Sequence, residues 1–218
     1  MQFSLNFIFP IISYLIGSVP FGLVLIKTVK GIDIREHGSK NVGATNAWRV
    51  AGKPFGIAAF VLDMLKGFIP VLVVSKVYDS IAHANDFALS KNSLTIVCGI
   101  AAILGHIFPV YLKFKGGKAA STSCGVFLFL APQALAIAVV VWVITTFISR
   151  FVSLGTMLAS IAFAVSVVST AESPFNKGIC LSIFSIVMCI SIIILHKSNI
   201  KRIIEGTENR IKSYGLKR

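Results

Sequence analysis

The sequence has 218 residues, of which 56% are hydrophobic and only 13% are charged, and its formal net charge is +13. A soluble domain is nearer half apolar and about one-quarter charged. Together with a mean hydropathy of +0.86, this composition excludes an ordinary soluble protein with an oily core. Several apolar runs approach or exceed the roughly 20 residues that cross a bilayer, which predicts an integral membrane protein.

Six apolar runs follow one another along the chain. They cover residues 3–28, 54–76, 93–112, 119–148, 152–170 and 178–195. The first run has neither the basic start nor the small-residue cleavage site of a secretory signal, so we expect it to remain as a membrane helix. No repeat or linker interrupts the sequence, and we therefore expect a single domain over residues 1–218.

The fourth run is too long for one membrane helix. At 1.5 Å per residue it would span about 45 Å, against roughly 30 Å for the hydrocarbon core. Because Pro132 lies near its middle, we predict two short helices, 118–131 and 133–148, joined by a tight turn. The alternative is one long, tilted helix kinked at Pro132.

The distribution of basic residues favours the split, and with it a total of seven helices. If the N-terminus is outside, the inside segments hold 17 of the 21 basic residues. These segments are 27–53, 113–118, 149–151 and 196–218. The outside keeps only Lys76, Lys91 and Lys177. This asymmetry is what the positive-inside rule predicts. We therefore expect an all-α integral membrane protein with seven transmembrane helices, the N-terminus outside and the C-terminus cytoplasmic.

Four polar segments on the predicted cytoplasmic side are dense in Gly, Ser, Asn, Lys and Arg. They are GSKNVGATNAWR (38–49), KFKGGKAASTS (113–123), SRFVS (149–153) and HKSNIKRIIEGTENR (196–210). Backbone N–H groups, hydroxyls, amides and cationic side chains all suit an anion. We therefore predict that these segments converge on one pocket for phosphate groups.

In the first of these segments, Ser39, Asn46 and Arg49 are the candidate phosphate ligands. Serine and asparagine offer short polar groups, and arginine offers a planar fork that matches a phosphate. The alternative is a solvated loop that merely sets the topology.

In the second segment, Lys115, Gly116, Gly117 and Lys118 come directly before a helix that we expect to start near Ala119. A glycine-rich turn at a helix N-terminus presents N–H groups and the positive end of the helix dipole. The P-loop pattern G-x-x-x-x-G-K-[ST] is absent, so nucleoside triphosphate binding is not supported.

Small residues follow this turn, among them Gly125. They would allow the close approach either of another helix or of an acyl chain. Asp63 and Lys66 lie three residues apart inside the second apolar run. Ionisable groups at that depth are costly and normally face the bundle interior, so we expect a structural or site-orienting ion pair.

In the last segment, His196 and Asn199 are three residues apart and would share a helical face, and Glu208 follows. The alternative is a basic amphipathic tail lying on anionic lipid. The four cysteines all fall in apolar runs without metal-ligand spacing, and we expect neither a metal nor a cofactor.

Several of these strings together resemble the bacterial acyl-phosphate:glycerol-3-phosphate acyltransferase family, PlsY. The resemblance rests on GSVPFG (17–22), the GSKNVGATN loop with Arg49, Asp63-x-x-Lys66-Gly67, HIFPVYLKFKGGKA, SRFVSLG and His196-x-x-Asn199. It implies an inner-membrane enzyme with a cytoplasmic active site. The implied reaction moves a fatty acyl group from acyl phosphate to the 1-hydroxyl of sn-glycerol 3-phosphate. The products are 1-acyl-sn-glycerol 3-phosphate (lysophosphatidic acid) and phosphate, in the first acylation step of phospholipid synthesis.

The resemblance also implies roles for the candidate residues. Those expected to bind glycerol 3-phosphate or its phosphate are Ser39, Asn46, Arg49, Lys118, Asn199 and Glu208. Those expected to bind acyl phosphate are Lys115, Gly116, Gly117, Lys118 and Gly125. The expected partners are these two substrates, membrane lipid and, as a candidate, an acyl-phosphate synthase; nucleic acid is not among them.

Two residues are candidates for the chemistry itself. His196 is suited to take the hydroxyl proton as a base, although a phosphate oxygen of the substrate is an alternative acceptor. Ser39 is a less favoured nucleophile because no base adjoins it in sequence. None of the histidines is followed by the Asp of a His-x-x-x-x-Asp motif, which argues against the mechanism of acyl-CoA-dependent enzymes.

One position departs from the family pattern. The family loop reads GSGN, whereas this chain has Lys40 where the family has glycine. A lysine disfavours positive φ but adds charge near a phosphate. An anion transporter and a structural membrane subunit are the rival functions; the sequence shows no internal repeat, and its polar residues gather at one face rather than along a path.

Overall fold

The computed structural model of the chain describes residues 2–81, 89–170 and 178–211, and the side chains of all these except residues 2–4 and 81. The predicted charge asymmetry also includes Lys177 and the basic residues from Lys212 onward, which lie outside these ranges. The histidine His83 lies outside them as well. Every regular element in the described ranges is helical, as predicted.

The chain divides into two compact units, residues 1–130 and 131–218. The first unit contains α1 Gln2–Ser18, α2 Phe21–Lys30, α3 Ala44–Ala51, α4 Lys53–Ile81, α5 Lys91–Ile107, a 3-10 turn Val110–Leu112 and α6 Ala120–Leu130. The second contains α7 Pro132–Ser149, α8 Val152–Thr170, α9 Ile179–Leu195 and α10 Lys197–Ile204. That residues 1–218 act as a single domain stays a prediction.

Five of the described helical segments are long and apolar enough to cross a membrane, and α9 with α10 makes a sixth that is bent by 52°. Large apolar side chains face outward, for example Phe147 and Ile148 on α7, which are 84% and 76% exposed. A bilayer, unlike water, accommodates such surfaces. The chain is therefore an all-helical, multi-pass membrane protein. Helix α6 is apolar but shorter, and both the seventh span and the orientation of the termini remain predictions.

The predicted break of the fourth apolar run is confirmed. Helix α6 ends at Leu130, Ala131 leaves the helical region with φ −151° and ψ 65°, and α7 starts at Pro132. Proline favours the first helical position because its missing N–H has no helical partner there. The alternative of one continuous kinked helix is wrong.

In the first unit, helix α4 packs against α6 where Gly125 lies. A Cβ on Gly125 would overlap the carbonyl oxygen of Met64 and crowd the backbone of Phe68. Small residues allow membrane helices this close approach. Of the two roles left open for Gly125, the structure thus favours helix packing over contact with an acyl chain.

In the second unit, helix α8 packs on both α7 and α9. Helices α7 and α8 are joined by a short turn in which Arg150 adopts a left-handed conformation with φ 62°. The indole N–H of Trp142 on α7 donates to the Thr156 hydroxyl of α8 across 3.3 Å. These contacts fix the turn that carries Ser153 at the start of α8.

Candidate active site

The loop before α3 is built around the side chain of Asn46. Asn46 is only 1% exposed, and its Oδ1 accepts the backbone N–H of Ser39 at 2.8 Å. Its Nδ2 donates to the carbonyl oxygens of Ile34, His37 and Asn41 at 2.8, 3.2 and 2.9 Å. Both N–H hydrogens of the Asn46 amide are used in these bonds, so neither is available to donate to a phosphate. The prediction that Asn46 binds phosphate is therefore corrected: Asn46 shapes the loop.

This framework positions the other two candidates of the loop. Gly38 has φ 60°, and a Cβ there would overlap Oδ1 of Asn46. Ser39 is half-buried, and its hydroxyl has no hydrogen-bond partner among the described residues of the first unit. Arg49 lies on α3, one turn after Asn46, and is exposed. Among the described residues of the first unit, then, no side chain forms the hydrogen bond to Ser39 that would activate it as a nucleophile.

Lys40 is held in the conformation that suits glycine. Its φ is 58°, a left-handed value that costs a residue with a Cβ about 1–2 kcal/mol. We expect Lys40→Gly to raise the free energy of unfolding by about 0.5–1 kcal/mol, since the greater freedom of glycine in the unfolded chain offsets part of the relief. Thermal unfolding of the purified protein in detergent measures this change.

Lys40→Ala is the matched control, because it removes the charge and keeps the Cβ. If the Lys40 charge assists phosphate binding, both variants raise the KM for glycerol 3-phosphate, but only the glycine variant is more stable. Equal stability of Lys40→Gly and the parent protein would contradict the strain assigned to this position.

The two glycines of the second segment use their N–H groups internally. The Gly116 N–H donates to the carbonyl of Ile107 and the Gly117 N–H to the carbonyl of His106, both at 3.1 Å. The expectation that these two N–H groups face an anion is therefore wrong. Lys115 is exposed and Lys118 is half-buried, so their side chains remain the candidate anion ligands of this turn.

Close packing explains why glycines stand at both positions. A Cβ on Gly117 would overlap Nε2 of His106, and a Cβ on Gly116 would overlap the carbonyl oxygen of the same residue. The turn between Lys115 and Lys118 thus lies directly on the end of α5, with the His106 ring beneath it.

His106 belongs to a buried polar network behind this turn. Its Nδ1 is 3.0 Å from Oγ1 of Thr122 on α6 and 3.9 Å from Oδ1 of Asp63 on α4. The Asp63 carboxylate is 2.8 Å from Nζ of Lys66, which also donates to the carbonyl of Val19 at 2.8 Å. Asp63 and Lys66 are 2% and 3% exposed. Asp63 and Lys66 thus form a buried ion pair, and its structural role stays a prediction.

His106 and Thr122 are the functional candidates that sequence reasoning missed. An available signal was an ionisable side chain inside an apolar run, which normally faces the bundle interior or a site. That signal identified Asp63 and Lys66 and applies equally to His106, three residues before Pro109.

In the second unit, Glu208 joins three donors from two segments. Its Oε1 accepts the Ser153 hydroxyl at 2.8 Å and Nδ2 of Asn199 at 2.7 Å, and its Oε2 accepts Nε of Arg202 at 2.7 Å. Burial alone would raise the pKa of Glu208, but these hydrogen bonds outweigh it and hold the pKa below its ordinary value. A buried carboxylate repels phosphate, so the predicted contact of Glu208 with phosphate is corrected: Glu208 positions Asn199 and Arg202.

We expect Glu208→Gln to lower the free energy of unfolding at pH 7 by about 2–3 kcal/mol, because charge-assisted bonds to a buried carboxylate are lost. The folded pKa is depressed, so the stabilisation is present above the unfolded value near 4.3 and is lost as pH falls through the folded value. Thermal unfolding at pH 7 and pH 4 should therefore show the difference between the two proteins shrinking in acid.

Glu205→Gln serves as the control, because Glu205 is exposed and its ion pair with Lys201 spans 3.7 Å at the surface. A surface pair contributes about 0–1 kcal/mol. If Glu208→Gln lowers the free energy of unfolding by no more than Glu205→Gln does, the hydrogen bonds that Glu208 accepts do not stabilise the unit.

His196 lies at the bend between α9 and α10 and is 5% exposed. Its Nδ1 is 2.7 Å from the carbonyl oxygen of Ile192. Because a carbonyl only accepts, this hydrogen bond places the proton of the neutral ring on Nδ1 and leaves Nε2 as the basic nitrogen. The Asn199 N–H donates to the His196 carbonyl at 2.8 Å, which ties the two candidates together.

Known proteins match this chain over nearly its whole length. A sequence model described as glycerol-3-phosphate acyltransferase matches residues 7–206. The chain belongs to the glycerol-3-phosphate acyltransferase family. A family member from Desulfotalea psychrophila, named glycerol-3-phosphate acyltransferase, is 43% identical over 95% of this chain and 99% of its own length.

Two crystal structures of an acyltransferase of this family also resemble the chain. They are described as PlsY, an integral membrane glycerol 3-phosphate acyltransferase, in a glycerol 3-phosphate form and a lysophosphatidic acid form. The first is 34% identical with a TM-score of 0.83, and the second is 33% identical with a TM-score of 0.80. Each alignment covers 95% of this chain and 96% of the other. The family match at residues 7–206 includes every candidate site residue except Glu208.

Proposed function

We propose that this chain transfers a fatty acyl group from acyl phosphate to the 1-hydroxyl of glycerol 3-phosphate at the cytoplasmic face of the bacterial inner membrane. Membership of the glycerol-3-phosphate acyltransferase family provides the acceptor and the reaction class. The observation that carries the choice of donor is the pair of lysines, Lys115 and Lys118, on the turn packed over His106. Two cations on one turn suit the departing phosphate of an acyl phosphate.

The transfer needs no covalent intermediate with the enzyme. The 1-hydroxyl oxygen of glycerol 3-phosphate attacks the acyl carbon, and the bond from that carbon to the phosphate oxygen breaks. Phosphate leaves with the electron pair, and the hydroxyl proton passes to a base. Nε2 of His196 is the proposed base because the hydrogen bond from Nδ1 to Ile192 leaves that nitrogen unprotonated. The half-buried Ser39 hydroxyl forms no hydrogen bond to a base in the described part of the first unit, which supports direct transfer.

The anion ligands of this proposal are cations from two elements. Arg49 and Lys118 hold the phosphate of glycerol 3-phosphate, and Lys115 and Lys118 neutralise the acyl phosphate. In the second unit, Glu208 fixes Asn199 at 2.7 Å, and Asn199 is a further proposed ligand of glycerol 3-phosphate. Gly116 and Gly117 act by letting the turn reach the end of α5.

We expect Arg49→Ala and Lys118→Ala each to raise the KM for an anionic substrate at least tenfold, since a charge-assisted hydrogen bond contributes about 1.5–3 kcal/mol. Steady-state phosphate release with each substrate varied in turn measures this. Lys53→Ala is a control, because the Lys53 ammonium stacks on Trp48 at 6.0 Å and has no assigned role. Near-normal kinetics in both variants would remove the two residues from the site.

The orientation of the chain is tested separately from its chemistry. In a variant without the native cysteines, single cysteines at Lys40, Lys115 and Ser198 should all be shielded from an impermeant thiol reagent added to intact cells. Labelling of one position from outside would contradict the seven-span arrangement with a cytoplasmic C-terminus.

The donor is tested with purified protein. Palmitoyl phosphate and glycerol 3-phosphate should yield lysophosphatidic acid and one phosphate per turnover, whereas palmitoyl-CoA should give no product. Activity that requires the thioester instead would reject the donor assignment. Movement of labelled phosphate across proteoliposomes without phosphate release from the donor would favour the rival function of anion transport.

A further inference from the structure

A cationic groove on the first unit includes residues to which no role has been assigned. It has a volume of about 370 Å³ and is lined by Arg35, Tyr111, Leu112, Lys113 and Lys115. Small-molecule sites typically range from about 300 to 1,000 Å³. The groove is thus large enough for a headgroup, and three of its five lining residues carry positive charge.

The charge of the groove suits a dianion. Arg35 is paired with Asp33, through Nη2 to Oδ2 at 2.6 Å and Nε to Oδ1 at 2.9 Å. These hydrogen bonds lower the pKa of Asp33 to about 2, so Asp33 offsets one positive charge at neutral pH. Lys113 and Lys115 have no ion-pair partner in the part of the chain that the structure describes. Two further charges lie beside this pair and cancel each other, because Lys27 is 3.9 Å from Asp33 and the Glu36 carboxylate acts on Arg35. The balance of about two positive charges matches a phosphate monoester, which carries roughly −1.5 to −2.

The backbone at the groove adopts an uncommon conformation. Lys113 and Phe114 are consecutive non-glycine residues with positive φ, 51° and 61°. The turn is held by the Phe114 N–H, which donates to the Pro109 carbonyl at 2.9 Å, and by the Lys115 N–H, which donates to the Leu112 carbonyl at 3.1 Å. Such conformations are costly and cluster at ligand-binding sites. Here the turn lets Lys113 and Lys115 line one groove while Phe114 is exposed.

Apolar side chains adjoin the cations along the chain. Phe108, Tyr111 and Phe114 are 51%, 57% and 60% exposed and follow the end of the membrane helix α5. Aromatic residues in such positions typically lie at the boundary between headgroups and acyl chains. A free anion gains nothing from neighbouring apolar side chains, whereas the acyl chain of a lipid packs against them.

We propose that this groove binds the phosphate-monoester headgroup of a single-chain lipid, with Lys113 and Arg35 as its anion ligands. Lysophosphatidic acid belongs to this chemical class. Acyl phosphate is a mixed anhydride, but it presents the same terminal phosphate dianion on a single acyl chain. The assignment rests on the proposed function for its physiological ligands, and it adds a docking site whose residues differ from Arg49 and Lys118. Its expected effect is on the capture of the amphiphilic substrate or product and not on the glycerol 3-phosphate site.

The experiment measures binding of lysophosphatidic acid to the purified full chain in detergent, without any acyl donor. Lys113→Gln should weaken binding about five- to tenfold, and Lys113→Arg should restore it, because both lysine and arginine supply the charge. Lys76→Gln, which removes an exposed lysine of α4 outside the groove, should bind like the parent protein. Phosphatidylglycerol and inorganic phosphate are the comparison ligands.

Each outcome bears on the proposal. Parent-like affinity of Lys113→Gln, or an equal loss in Lys76→Gln, overturns it. Parity of phosphatidylglycerol with lysophosphatidic acid identifies a general site for anionic lipids, and competition by inorganic phosphate at similar concentration identifies a free-anion site; either result also overturns it. Thermal unfolding of each variant excludes misfolding, and Lys113→Glu, with a larger expected loss of affinity, provides a second test.

Kinetics separate this proposal from the proposed function. In Lys113→Gln the KM for acyl phosphate should rise while the KM for glycerol 3-phosphate and the kcat are unchanged. If the parent protein does not use acyl phosphate but lysophosphatidic acid binding still depends on Lys113, the donor assignment fails and the groove stands. An equal rise in both KM values would place Lys113 in the acceptor site and overturn the groove.

Discussion

Replacement of His196 by alanine is expected to lower kcat by about 10²- to 10⁴-fold, the usual contribution of a positioned general base. The His196 ring donates from Nδ1 to the Ile192 carbonyl at 2.7 Å, so Nε2 is the nitrogen that can receive the hydroxyl proton. Phosphate release at saturating acyl phosphate and glycerol 3-phosphate measures the effect. The KM for glycerol 3-phosphate should change much less than kcat.

His37→Ala is the matched control for this measurement, because the His37 side chain is exposed in the first loop and only its backbone carbonyl contacts Asn46. Its kcat should stay close to that of the parent protein. If His196→Ala keeps most of its activity, the proton passes to a phosphate oxygen of the substrate, and His196 is not the base.

Replacement of Lys66 by methionine should cost about 3–5 kcal/mol of stability, because it leaves the Asp63 carboxylate buried without its cation. Asp63 and Lys66 are 2.8 Å apart and both almost fully buried. The double variant Asp63→Asn with Lys66→Met should recover much of this loss, since no unpaired charge remains. Thermal unfolding in detergent compares the three proteins.

Lys201→Met provides the control, because Lys201 and Glu205 form a surface pair with side chains 77% and 49% exposed. Its loss should change stability by no more than about 1 kcal/mol. If Lys66→Met is as stable as Lys201→Met, the buried pair does not support the unit. A tenfold or larger rise in the KM for acyl phosphate would further link the pair, through His106, to the lysine turn.

The helices and the buried pair were predictable because each follows from a local physical rule. The length of the apolar run around Pro132 exceeds a bilayer, and the break between Leu130 and Pro132 is confirmed. Asp63 and Lys66 were recognised because isolated charges are too costly in an apolar run. The motifs that resembled PlsY led to the family that the comparisons identify.

The roles of individual polar residues were less predictable, because the same hydrogen-bonding groups can either bind a ligand or hold the chain in its fold. Asn46 and Glu208 were both predicted to bind substrate, and both are instead buried and hydrogen-bonded to other groups of the chain. The Gly116 and Gly117 N–H groups were expected to face an anion but donate to carbonyls of α5. His106 received no role, because its proximity to the lysine turn depends on packing between separate helices.

The sequence alone determined four features, because they depend on composition, spacing and motif. These are the apolar helices, the concentration of charge in short segments, the membrane environment and the family. Which amide supports a loop and which cation lines a groove depends on which distant residues the fold brings together. Only the tertiary structure settled that Asn46 and Glu208 are buried and hydrogen-bonded within the chain, while Lys113 and Lys115 line an open groove. The reason is that a hydrogen bond requires two groups within about 3 Å, and for distant residues only the packed helices determine that distance.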